Sequence, residues 1–90
     1  MNRSEILQEA ERLISGDRAD DYGDAKRNFL DIAALWSSYL DEDITVVDVA
    51  NMMMLMKIAR TKKSPGKADS WVDICGYSAL IGEIKTHGQK

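Results

Sequence analysis

Lys57 and Arg60 stand three residues apart inside the otherwise apolar run MMMLMKIAR. On a helix that spacing makes them neighbours. Cations among apolar side chains need a counter-charge, because an unpaired charge taken out of water is expensive. Asp69 and Asp73 offer one within the chain, since four-residue spacing turns both carboxylates the same way. Two chemistries fit. One is an internal ion-pair network of Lys57, Arg60, Asp69 and Asp73; in the other, some of the cations face the phosphate of a bound molecule. A second constellation is the loop Arg18-Ala19-Asp20-Asp21-Tyr22-Gly23-Asp24. Arg18 suits an anionic group, Tyr22 can stack on a ring or bond through its hydroxyl, and Gly23 lets the backbone turn close to a ligand. The plainer alternative is a helix–helix connection in which Tyr22 covers the core and Arg18 pairs with an aspartate.

Metal chemistry has one candidate set. Asp48, Asp69 and Asp73 supply oxygens of the kind Mg²⁺ takes together with substrate phosphates, although two of the three also suit helix caps. His87 is the only histidine and Cys75 the only cysteine, which disfavours zinc, an internal disulfide and a Ser/His/Asp triad. Gly66-Lys67 is followed by Ala68 and lacks the earlier glycine of a P-loop. The basic turn with Lys62, Lys63 and Lys67 is either solvated or funnels an anion toward Arg60. A net charge of −3 and a pI near 5.0 argue against general nucleic-acid binding.

These residues must be positioned by helices. With 90 residues, 44% hydrophobic and 30% charged, the chain reads as one all-α domain over residues 1–90, with four helices and no strand. Asn2 and Glu5 start the first helix, which carries an Ile6, Leu7, Ala10, Leu13, Ile14 stripe and stops at Gly16. Asp24, or else Asp21, caps the second, whose inner face is Phe29, Ile32, Ala33, Trp36 and Leu40. Asp41-Glu42-Asp43 falls past its end, since acid opposes the dipole there. Thr45 and Asp48 form a capping-box variant for the third helix, whose apolar residues run almost all round it. So small a domain has little interior to surround such a helix, so the expectation is a homo-oligomer assembled through helix three, and Met53→Glu should break the assembly or the fold. Asp69 is expected to cap the fourth helix, from about Ser70 to Thr86, with Val72, Cys75, Ala79 and Gly82 as a seam of mostly small side chains and Gly76 beside it. The longest apolar stretch, Met52–Met56, is too short for a membrane span, and MNRSEILQEAERL is too charged for a secretory signal. The default compartment is a reducing cytoplasm.

The order GDRADDYGDAKRNF, then MMMLMKIAR, then DSWVDICGY resembles a family of short helical phage and prophage proteins of unassigned function, over about Leu13 to Leu80. More weakly, its Asp-Tyr-Gly, Lys-x-x-Arg and Gly-Tyr order is similar to the phage-associated nucleotide-modification helical domain and, through it, to MazG-like all-α nucleotide pyrophosphatases. The matching positions are Arg18, Tyr22, Gly23, Lys57, Arg60, Asp69, Asp73, Gly76 and Tyr77. MazG-like enzymes hold Mg²⁺ with a Glu-x-x-Glu pair that this sequence lacks; Asp48 is followed three residues on by Asn51. The resemblance therefore implies a nucleotide-sized pocket without the full metal set, in the bacterial host's cytoplasm. The expected activity is non-catalytic binding of a phosphate-bearing, nucleotide-derived small molecule, such as a host immune signal to be sequestered. Arg18 and Arg60 would take phosphate, Tyr22 or Tyr77 would stack, and Asp73 would bond ribose hydroxyls or hold an arginine. No cofactor is expected on this reading. The alternatives are a Mg²⁺-dependent nucleotide pyrophosphohydrolase, and a structural or protein-binding oligomer whose polar residues make only internal pairs.

Overall fold

The computed structural model describes residues 1–15 and 25–86. Four helices are present among them: α1 (Arg3–Ser15), α2 (Ala25–Leu40), α3 (Val46–Lys63) and α4 (Ala68–Thr86). The described residues contain no strand. Arg18, Tyr22 and Gly23, with the expected stop at Gly16 and cap at Asp24, lie outside the described residues.

Local side-chain chemistry sets several of the ends. The Asn2 side-chain oxygen accepts from the Glu5 amide at 2.9 Å, and the Glu5 carboxylate accepts from the Asn2 amide at 2.9 Å. The Thr45 hydroxyl accepts from the Asp48 amide at 3.1 Å while Asp48 accepts from the Thr45 amide at 2.9 Å, a reciprocal capping box. Each such box satisfies two backbone donors that the first turn leaves over, and losing a cap of this kind costs ~1 kcal/mol. At the far end of α2, Asp41 takes φ 54° and the Glu42 amide donates to the Ser37 carbonyl at 3.1 Å, the hydrogen bond of a left-handed helix stop. Ser37 then ties down the chain beyond it. Its hydroxyl accepts from the Ile44 amide at 2.9 Å and donates to the Ile44 carbonyl at 3.2 Å.

The central core joins α2 to α3. Phe29, Ala33, Val49 and Ala50 are buried, with Trp36, Met53, Met54, Tyr77 and Leu80 packed against them. α4 lies between two neighbours, α3 on one side and α1 on the other. The α1–α4 contact buries Ala10, Val72 and Gly76.

Two expectations about these helices need correction. α4 begins at Ala68, so Asp69 stands in its first turn and does not cap it. The reason is the preceding turn. The Lys67 amide donates to the Ser64 carbonyl at 3.2 Å, and the Trp71 indole donates to the Pro65 carbonyl at 2.8 Å, which delivers the chain into helical geometry earlier. The close seam runs through Val72 and Gly76, not through Ala79 and Gly82: a Cβ on Gly76 would sit 3.4 Å from Ile14 Cγ2, whereas one on Gly82 meets nothing within 4 Å and Ala79 is exposed. As so small an interior leads one to expect, the described residues do not cover α3 on all sides. Its inner face carries Val49 and Ala50, while Met52, Leu55, Met56 and Ile58 are exposed, Leu55 by 61%.

Candidate ligand-binding site

Lys57 leaves the inner half of α3, and its ammonium lies 2.7 Å from an Asp73 carboxylate oxygen on α4. The Lys57 side chain is only 14% exposed, so its charge needs that partner. Arg60 stands one turn further along and is exposed. It makes no ion pair with a described residue, and neither does Asp69. Among the described residues the four-member internal network weighed from the sequence is therefore a single pair, and Asp73, expected to bond ribose hydroxyls or hold an arginine, holds a lysine. Geometry explains the choice. Lys57 points into the α3–α4 contact where Asp73 sits, and Arg60 falls on the rim nearer the Ser64–Lys67 turn.

Two hollows meet at the Lys57–Asp73 pair. The first, about 260 Å³, is mostly apolar: α1 lines it with Ala10, Leu13 and Ile14, and α4 with Val72, Tyr77 and Leu80. Gly76 and Ala25 complete the wall. Tyr77 is half-buried, with its ring packed against the core and one side on this hollow. The second, about 360 Å³, is polar and lies over the start of α4. Lys57, Arg60, Lys63 and Lys67 line it against Asp69 and Asp73, an excess of two positive charges, and Ser64 and Ser70 contribute hydroxyls. Ser70 is 6% exposed, which places it at the floor. The first turn of a 19-residue helix adds amide hydrogens and the positive end of its dipole.

The structure thus brings Lys57, Arg60, Asp69, Asp73 and Tyr77 to one region, with Lys57 and Asp73 shared by both hollows. Sequence reasoning missed Ser70 and the apolar wall from α1, whose stripe reads as ordinary core. The lysines of the turn carried a signal, since the Ser-Pro-Gly-Lys sequence doubles the chain back toward Arg60. The oxygen set considered for Mg²⁺ is not assembled. Asp48 lines neither hollow, its carboxylate is engaged with the Thr45 amide, and no three His, Cys, Asp or Glu side chains among the described residues converge as metal ligands. No helix of the described residues is long and apolar enough to cross a membrane.

Comparison with known proteins gives a consistent picture. Residues 5–85 match the model of a family described as a domain of unknown function, DUF6378. The chain is similar to the Gene 55 protein of Mycobacterium phage D29, with 49% identity over 79 residues, covering 88% of this chain and 52% of the relative. It is also similar to the Gene 55 protein of Mycobacterium phage L5, with 46% identity over 81 residues, covering 89% of this chain and 52% of the relative. The chain spans about half the length of these curated relatives. No solved structure matches it.

Proposed function

We propose a function for this chain on one premise: it belongs to the DUF6378 family, a phage protein family of unassigned function. The function is to bind a phosphate-bearing, nucleotide-derived small molecule without turning it over, in the cytoplasm of the bacterial host and as a homo-oligomer built through α3. One observation carries the ligand class. A cationic hollow and an apolar hollow adjoin across the Lys57–Asp73 pair, so one guest can present its charged and its flat parts to the two at once. The polar hollow, about 360 Å³, falls in the size range of small-molecule sites, and the apolar one adjoins it. Arg60 takes phosphate oxygens with the lysines around it, Ser70 and the first α4 amides add donors, and Tyr77 offers an aromatic face to the base. Arg18, Tyr22 and Gly23 belong to this reading through the resemblance alone, and they lie outside the described residues. Sequestering a host immune nucleotide is the biological form this activity takes in a phage protein.

Titration calorimetry across nucleoside mono-, di- and triphosphates and cyclic nucleotides tests the proposal. A micromolar dissociation constant for at least one of them is expected, and Arg60→Ala should weaken it about tenfold with an unchanged melting temperature, the loss of one charge-assisted contact of ~1.5 kcal/mol. Absence of binding below millimolar concentration for every compound ends this reading.

A further inference from the structure

The outer face of α3 has a regular order. Asp48, Met52, Leu55, Ala59 and Lys62 follow one another at steps of four, three, four and three residues, the spacing of a coiled-coil seam. Met52 and Leu55 on this line are 41% and 61% exposed, and Met56 beside it is 45% exposed, so none of the described residues covers the seam. The seam also has a charge symmetry. Seven residues before Leu55 stands an acid, Asp48, and seven residues after it a base, Lys62. Beyond these ends the same polarity continues, with Asp41, Glu42 and Asp43 before the helix and Lys63 at its close.

From that symmetry we infer that the occupant of this face is a second copy of the chain, paired antiparallel about a two-fold axis through Leu55. In that register Asp48 of each copy meets Lys62 of the other, twice over, and Met52 comes level with Ile58, with the small Ala59 one residue beyond. A two-fold contact must be self-complementary, and this seam is self-complementary only when reversed. Parallel pairing would set Asp48 on Asp48 and Lys62 on Lys62. The two charges cannot serve each other within one chain, because fourteen residues of helix hold them ~21 Å apart. The capping bond engages one Asp48 oxygen and leaves the other for the partner's lysine. This deepens the oligomer part of the proposed function, giving it a geometry, and it is independent of the ligand.

Analytical ultracentrifugation of the intact chain at low salt is the test. The wild type should be a dimer at micromolar concentration. Leu55→Glu should be a monomer with undiminished helicity, since Leu55 is 61% exposed and lies outside the core that the described residues form. Lys62→Glu should weaken dimerisation about tenfold, and adding Asp48→Lys to it should restore affinity. Asp48→Lys alone, which also removes a cap, should weaken dimerisation like Lys62→Glu; circular dichroism confirms that it stays folded. A wild-type monomer overturns both the assembly and its geometry. A dimer that survives Leu55→Glu, or one that Lys62→Glu leaves unchanged, overturns the antiparallel seam while the oligomer stands.

Discussion

A single carboxylate sits where both hollows meet, and its charge has two consequences. Asp73 holds the Lys57 ammonium at 2.7 Å, which stabilises a mostly buried cation and withholds it from any anion in the polar hollow. Asp73→Asn keeps the shape and removes the charge. The expected result is a loss of stability of ~1–3 kcal/mol in urea unfolding, together with several-fold tighter binding of inorganic phosphate, because Lys57 is then left to the guest. A loss of stability with no change in phosphate affinity would mean that the pair only braces the helices. Asp41 gives a second test at this scale. At φ 54° it occupies a conformation that costs an L-residue ~1 kcal/mol and glycine nothing, so Asp41→Gly should stabilise the protein by ~0.5–1 kcal/mol in thermal unfolding. Spacing made Asp69 and Asp73 visible as a pair facing α3. It could not tell which of them a cation would choose, because that depends on how deeply α3 and α4 interlock.

Helix ends were legible wherever the signal is local. Asn2 with Glu5, and Thr45 with Asp48, bond within three residues, so the sequence carries the whole interaction. The start of α4 was not, because it depends on a Trp71-to-Pro65 hydrogen bond across six residues. The seam of α4 was misplaced for a similar reason. Small residues occur on more than one side of that helix, and which side is used is decided by α1, lying against Gly76 through Ile14. That contact is tight but open to a methyl group. Gly76→Ala should be neutral or slightly stabilising, as helix propensity returns ~1 kcal/mol. Gly76→Leu should cost ~1–3 kcal/mol by overpacking and reduce ligand affinity by crowding the apolar hollow, read together by thermal melts and calorimetry. Met53, where the sequence leads to glutamate breaking either the assembly or the fold, packs against the chain's own core. Its replacement by glutamate should unfold the domain, and the exposed Leu55 is the position that separates assembly from folding.

At the scale of the whole molecule, attachment is uneven. α2, α3 and α4 share the core around Phe29, Val49 and Ala50, whereas α1 has α4 as its one substantial neighbour among the described residues. Phe29→Ala should therefore lower global stability by ~3–5 kcal/mol, while Ala10→Ser should loosen α1 and leave the rest folded. Hydrogen exchange would show it: α1 amides should exchange through a smaller opening than those of α3. The same helix carries Ala10, Leu13 and Ile14, which form one wall of the apolar hollow. A door hung on one post is the first thing a storm takes and the first thing a lodger would bolt. On the proposed reading, the amide protection of α1 should rise when a guest fills the hollow, a gauge readable in a cell extract before that guest has been identified.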